Sequence, residues 1–315
     1  MMTVKFGDSM TDNRDFFEVL VKKGIQIKKD LPMRDYTTFK IGGAADFGVF
    51  PKTAEEFGEV SLLAKEYGIT TFVAGNGSNL LVSDNGFRGA VIFTTAMDGI
   101  RFEEGGVYAM AGVSMTRLSR LAAEKGLSGL EFAYGIPGTV GGAVYMNAGA
   151  YGSEMKNVVL FSDYWSEEGC GRLTGDEQCF GYRESAYMGT SRAVLGCMIA
   201  LHDGNPDEIM AYCKELMTRR RDKQPLEYPS AGSAFKRYPG RFTAQMIDEA
   251  GLKGFSVGGA EVSVKHAGFI INRGGATAED VRHLVSEIKD IIYKREGIHI
   301  ESEMRYLSEK GACEI

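Results

Sequence analysis

The residues Gly75-Asn76-Gly77-Ser78-Asn79 stand directly behind an apolar run, Thr71-Phe72-Val73-Ala74. Two glycines and three short polar side chains make a loop with consecutive main-chain N–H groups and freedom to take positive φ. Such a loop can close round an anion without a helix dipole. It is not a Rossmann fingerprint, because that pattern needs a third glycine where this chain has Leu80, and Leu80-Leu81-Val82 is β-prone. The same residue types also make ordinary strand-connecting turns. Five further stretches could carry chemistry: TTFKIGG (37–43), GIPGTVGGAVYMNAGAYG (135–152), YRES (182–185), AGSAFK (231–236) and ESEMRYL (301–307). Taken singly, Arg183 reads as a surface ion pair with an acid such as Glu184, Ser233 as a turn residue, and Glu303 as a solvated carboxylate. The glycines of 135–152 are interleaved with Val140, Val144, Tyr145 and Met146, which suits a shaped wall better than a flexible linker.

The elements that must position these residues follow from periodicity. A short helix is expected over 14–24. Residues 37–50 alternate round Gly42-Gly43, which predicts a strand with a bend or bulge ending at Pro51. Thr53-x-x-Glu56 is a capping box opening a helix with Phe57, Val60, Ala64 and Tyr67 on one face. Strands are expected near 70–74, 79–83, 90–94 and 106–111, then a helix over 114–125 carrying Leu118, Leu121 and Ala122. Residues 156–203 read as β-rich. After Gly204-Asn205-Pro206, a helix to about Arg221 buries Ile209, Cys213 and Leu216. A short helix at 243–250 and strands at 260–264 and 267–272 follow. A long helix from Thr277 to Gly297 buries Val281, Leu284, Val285, Ile288 and Ile292, and a last strand spans 298–306. The pattern is α+β, with an N-terminal helical segment (1–30), a first unit (31–204) and a C-terminal α+β unit (205–315) whose last strand returns to the first.

The whole chain narrows the function classes. Its 315 residues suffice for two or three cores, and no stretch of apolar residues is long enough to span a membrane. The net charge of −6 argues against general nucleic-acid binding. The polar, acidic N-terminus has no apolar signal region, and five scattered cysteines without a CxxC pair suit reduced thiols, so a cytoplasmic protein without structural zinc is expected. Glycine is 41 of the 315 residues, well above the usual share of about 7%. The excess clusters at 42–43, 75–77, 135–152 and 251–259, as if the backbone approached something closely.

In this order and spacing, the six stretches resemble the UDP-N-acetylenolpyruvoylglucosamine reductase family over roughly residues 30 to 307. The resemblance implies an FAD-binding fold of the vanillyl-alcohol-oxidase type in two α+β subdomains, followed by a substrate-binding domain. It implies reduction of UDP-N-acetylglucosamine enolpyruvate to UDP-N-acetylmuramate in peptidoglycan precursor synthesis, with FAD as cofactor and NADPH as co-substrate. Gly75, Asn76, Gly77, Ser78 and Asn79 then wrap the FAD pyrophosphate, while Ile41, Gly42, Gly43, Gly138, Thr139, Gly141, Gly142 and Ala143 line the rest of the cofactor. Arg183 matches the catalytic arginine, whose guanidinium fork suits the substrate carboxylate as charge develops there. Ser233 matches the proton donor, with Lys236 the nearest cation in sequence. Glu303 matches the third catalytic residue, and Glu301, two positions away, is its competitor. Tyr182, Arg220, Lys223, Lys236 and His266 match substrate-binding positions.

The short connection between residue 203 and RRRDKQP places the chain in the short-loop, type II subclass, which lacks the segment bearing a lid tyrosine. Residues 73–89 contain no histidine, so the FAD is expected to be non-covalent. No metal site, membrane insertion or protein partner is implied. Two rivals remain at this stage: another flavin oxidoreductase of the same fold acting on a different substrate, and a nucleotide-sugar binding protein without activity.

Overall fold

A computed structural model describes residues 9–313 and 315. Helix α1 (Ser9–Lys22) leads into strand β1 (Gln26–Pro32), followed by β2 (Ala44–Phe50), α2 (Ala54–Glu66), β3 (Thr71–Ala74), β4 (Leu80–Val82) and β5 (Phe87–Phe93). Next come β6 (Ile100–Glu103), β7 (Gly106–Met110), α3 (Met115–Glu124) and the short α4 (Val140–Tyr145). Strands β8 (Val159–Ser166), β9 (Gly169–Thr174) and β10 (Ala193–Ala200) complete this part. The remainder is α5 (Pro206–Lys223), β11 (Ser230–Ser233), α6 (Thr243–Glu249), β12 (Ser256–Val257), β13 (Ala260–Val262), β14 (Phe269–Asn272), α7 (Ala278–Glu296), β15 (Arg305–Ser308) and β16 (Gly311–Cys313).

The helices form where period and caps agree. Thr53 caps α2 by accepting from the Glu56 N–H at 3.2 Å, and Phe57, Val60 and Ala64 are buried, with Tyr67 partly so. Thr277 and Asp280 form a reciprocal capping box on α7, and the five aliphatic residues expected on its inner face are all buried. Each such side chain contributes about 1.5–3 kcal/mol before conformational entropy is set against it. Leu118 and Ala122 of α3 are buried and Leu121 is half-buried.

The strands form three main sheets. The first runs β1-β2-β5-β3, with parallel β2/β5 and β5/β3 pairs and an antiparallel β1 on the edge. The second, β9-β8-β10-β7-β6, is antiparallel throughout. The third, β11-β14-β13-β12, packs under α6 and α7 around Ala231, Phe235, Met246, Ile270 and Leu284. A smaller ribbon, β16-β15-β4, joins the chain's end to its beginning, because β15 runs parallel to β4 with Arg305 opposite Leu80.

Three expectations need correction. Residues 26–30, assigned to a helical segment, belong to strand β1 (Gln26–Pro32), because β1 gains an antiparallel ladder with β2 while needing only Leu31 buried. The strand expected over 37–50 begins only at Ala44, since Met33–Tyr36 is a 3₁₀ turn and the chain then loops through Gly42 and Gly43. The last strand likewise starts at Arg305 rather than 298, after an isolated bridge between Ser302 and Phe235.

Candidate active site

The first sheet, the second sheet and the C-terminal sheet meet at a cavity of about 1220 Å³. This exceeds the roughly 300–1,000 Å³ of a site for one drug-sized ligand. One wall is the Gly75–Asn79 loop, which contains no helix. Gly77 takes φ +59, and a Cβ there would lie 2.4 Å from the Tyr36 carbonyl oxygen, so only glycine lets the loop seat against that turn. Gly75 makes room for the Thr139 hydroxyl, which caps α4 by accepting from the Gly142 N–H at 3.4 Å. Asn76 ties the loop to the opposite wall through a 3.0 Å bond from Nδ2 to the Pro137 carbonyl.

The cavity fits a dinucleotide. Among the described residues, the N–H groups of Asn76, Gly77 and Ser78 donate to no protein acceptor, so they are free for an anion. Gly138 and Gly142 have room for a side chain: added Cβ atoms would make only ordinary contacts, at 3.5 Å to Ser78 Oγ and 3.6 Å to Thr139 Oγ1. Their lack of a side chain is therefore unexplained by protein packing and suits a flat ligand lying against the backbone. Gly141 differs, since a Cβ would strike Ala111 at 2.8 Å. Gly75 to Asn79, Gly138, Thr139, Gly141, Gly142 and Ala143 all line the cavity.

Ile41, Gly42 and Gly43 do not line it. Ile41 is buried in the C-terminal core, Gly42 packs 2.7 Å from Val82 Cβ as measured to its ideal Cβ, and Gly43 abuts the Asp84–Gly86 turn. These glycines let two loops cross closely, a packing demand that looks the same in sequence as a ligand demand.

Arg183 sits at the tip of a tight hairpin in which Gly181 and Glu184 exchange main-chain bonds of 3.1 and 3.2 Å. Its φ of +58 is a left-handed conformation disfavoured for any residue with a Cβ. The surroundings enforce it. Ser185 Oγ donates to the Tyr145 carbonyl at 2.7 Å, and Asn147 Nδ2 donates to the Gly181 carbonyl at 2.8 Å, so the turn is bolted to the end of α4. Arg183 Nε donates to Glu303 Oε1 at 2.5 Å, and both side chains are largely buried.

Glu303 lies between the Ser302 bridge and β15. Burial raises its carboxyl above the ordinary range, against the pull of Arg183, Lys236 and Arg237. Glu301 is its opposite: exposed, bonded to Lys236 at 2.9 Å, and held low by that ammonium. Neither Glu301 nor Lys236 lines the cavity, and the two pair with each other instead, although Lys236 lies close enough to Glu303 to pull on its carboxyl. Ser233 ends β11 and lines the cavity, its hydroxyl donating only a long 3.2 Å bond to the Phe235 carbonyl.

The remaining expected positions are spread along the same walls. Tyr182 is exposed, lies under the Arg183 guanidinium at 5.1 Å, and accepts from the Arg237 N–H at 3.1 Å. Arg220, near the end of α5, is half-buried with no acidic partner among the described residues, and desolvation lowers its affinity for its proton. Lys223 is exposed beside it. His266 is depressed by burial. Its Nδ1 accepts from the Gly268 N–H at 3.1 Å, so the neutral ring carries its proton on Nε2. Arg237, Arg305, Arg192 and Phe242 also line the cavity, although the motifs did not mark them. Arg237 could have been suspected from its place directly behind AGSAFK.

Residues 45–169 match a family described as FAD binding domain, and residues 224–307 match UDP-N-acetylenolpyruvoylglucosamine reductase, C-terminal domain. A UDP-N-acetylenolpyruvoylglucosamine reductase from Caldicellulosiruptor saccharolyticus is 46% identical over 293 residues, covering 92% of this chain and 94% of the relative. One from Pediococcus pentosaceus is 44% identical over 287 residues, covering 91% and 96%. The crystal structure of UDP-N-acetylenolpyruvylglucosamine reductase from Thermus caldophilus superposes with a TM-score of 0.76 at 34% identity, covering 90% of this chain and 98% of that one. Fold and cavity therefore define an FAD-dependent oxidoreductase with an α+β flavin-binding fold. Within that class the chain belongs to the UDP-N-acetylenolpyruvoylglucosamine reductase family. No helix among the described residues is long and apolar enough to cross a membrane, and no cluster of three His, Cys, Asp or Glu residues could hold a metal ion.

Proposed function

We propose that the chain reduces UDP-N-acetylglucosamine enolpyruvate to UDP-N-acetylmuramate with NADPH, a step in peptidoglycan precursor synthesis, and that Arg183, Ser233 and Glu303 carry the chemistry. The observation behind these roles is convergence: the three come from the 181–184 hairpin, β11 and the segment before β15, yet all line the cavity that also presents the free N–H groups of the Gly75–Asn79 loop. FAD, when bound, relays two electrons between the nicotinamide and the enolpyruvyl double bond. The protein's part is to hold the substrate and manage charge and protons.

Arg183 holds the enolpyruvyl carboxylate with its fork, and its strained turn keeps the guanidinium from relaxing towards solvent. Glu303 competes for that same guanidinium until substrate arrives. Its raised proton affinity lets it become neutral as the substrate carboxylate takes over the arginine, leaving an acid that donates towards the developing charge. Ser233 gives its proton to the neighbouring carbon, since only a weak bond to Phe235 must be surrendered. Arg220 and Lys223 hold the nucleotide diphosphate, and Tyr182 and His266 border the sugar. Residues 31–204 act as the flavin-binding unit and 205–315 as the substrate-binding unit, in a cytoplasmic protein.

The test is optical. Purified protein with FAD should be yellow, bleach with NADPH, and recover colour when the enolpyruvyl nucleotide sugar is added without oxygen. Bleaching with recovery only in air would make the chain an oxidoreductase of another substrate. A folded protein that takes up no FAD in a titration would end the flavin reading.

A further inference from the structure

Asn79 ends the loop read from sequence as a phosphate cradle, yet its side chain is committed elsewhere. Nδ2 donates to the main-chain carbonyl of Glu303 at 3.0 Å and lies 3.9 Å from Met146 Sδ. A primary amide has two N–H groups, and with one on the carbonyl and the other towards the thioether, none is left for a phosphate. The Asn79 main-chain carbonyl accepts from the Arg305 N–H at 3.0 Å. One residue thus grips the chain at Glu303 and again two residues later. From the other side, the Glu303 N–H donates to the Ala234 carbonyl, next to Ser233, at 2.9 Å. Glu303 lies outside the β15 ladder, so these discrete bonds set its orientation.

We propose that Asn79 is a positioning residue for Glu303, its amide carrying the order of the flavin loop to the carboxyl group that faces Arg183. The proposal rests on Glu303 acting in the reaction as described above. The flavin loop and the acid then form one unit: when the loop is ordered, the 303–304 peptide is held and the carboxyl stays buried. When the amide is lost, the peptide can turn and the carboxyl can reach water. The charged groups facing that carboxyl are Arg183 from the hairpin and Lys236 and Arg237 behind β11, and Asn79→Ala alters none of them and adds no charge.

The experiment uses full-length protein saturated with FAD. Stopped-flow absorbance follows bleaching by NADPH and anaerobic recovery by substrate as separate steps, in Asn79→Asp, Asn79→Ala and Glu303→Gln. Asn79→Asp keeps the shape but sets an oxygen against the Glu303 carbonyl, and Asn79→Ala removes the side chain should the aspartate fold poorly. In both, recovery should fall about tenfold more than bleaching, the equivalent of about 1.4 kcal/mol. A second readout needs no turnover. In protein labelled with ¹³C at glutamate carboxyls, the Glu303 resonance, assigned by its loss in Glu303→Gln, should titrate at lower pH in Asn79→Ala, which adds no charge, with or without FAD.

Equal losses in the two steps that follow FAD occupancy, with an unmoved Glu303 titration, would overturn the proposal and leave Asn79 in the cofactor cradle. The underlying reading fails separately: if Glu303→Gln recovers colour at the normal rate, the acid is not part of the reaction. Impaired Glu303→Gln beside Asn79 variants of normal ratio and titration would sink the positioning role alone.

Discussion

Arg183 and Glu303 are 120 positions apart in sequence and one hydrogen bond apart in the fold. In the proposed reaction that guanidinium grips a planar carboxylate with two parallel donors, so Arg183→Lys keeps the charge and loses the fork. Anaerobic recovery by substrate should fall by on the order of 10² in this variant, and a near-normal rate would remove the arginine from the mechanism. For Ser233→Ala, recovery should likewise drop by about 10² relative to bleaching by NADPH, while losses of equal size in both steps would make the serine structural. Glu303 adds a stability prediction. Its folded-state proton affinity is raised, so the native state binds that proton more tightly than the unfolded chain does, and stability falls as pH rises through the window between the two values. Glu303→Gln lacks this loss. Its stability relative to the parent, measured by urea unfolding, should therefore improve from pH 4 to pH 8, and a difference independent of pH would contradict the burial argument. The residue types were legible in sequence, but Lys236 shows the limit. Its adjacency to Ser233 suggested a catalytic cation, whereas its side chain turns to Glu301.

At the scale of elements, glycine has two meanings that substitution separates. Gly77 meets the Tyr36 carbonyl, and Gly77→Ala should destabilise the fold itself. Gly142 lies within α4 and has room for a Cβ, which would meet only Thr139 Oγ1 at 3.6 Å. Gly142→Ala should leave the apo-protein as stable or more so, by up to about 1 kcal/mol from helix propensity, yet weaken FAD binding. Thermal unfolding and FAD titration read the two effects apart, and undiminished FAD affinity would place the cofactor elsewhere. A second element-level device is Asp84, in the loop after β4. Its carboxylate accepts from the Ala278 and Glu279 N–H groups at 2.8 and 3.1 Å and so caps α7 from across the molecule. Asp84→Ala should cost about 1 kcal/mol in urea unfolding. Helices α2, α5 and α7 were legible because their apolar period and caps are local. Strand β1 was not, since its sequence is mostly polar and its ladder depends on a partner 12 to 24 residues away by register.

At the scale of the whole molecule, the parallel pairing of β15 with β4 brings the chain's end beside the Gly75–Asn79 loop and makes one cavity from parts that the sequence separates. A ligand gripped by several elements at once stabilises all of them. FAD at about 100 times its Kd should raise the unfolding free energy by about 2.7 kcal/mol, and unfolding unmoved by FAD would deny a site formed by the native fold. From the order of its residues alone, the chain determined its longer helices, a helix-free Gly-Asn-Gly-Ser-Asn loop and the chemical types of its candidate reactive groups, because each depends on neighbours within a few positions. Tertiary structure decided the rest: which glycines pack and which face the cavity, which of two nearby glutamates is buried, and which cation faces outward. Those choices depend on desolvation and contact between distant segments, and such terms exist only once the sheets have met.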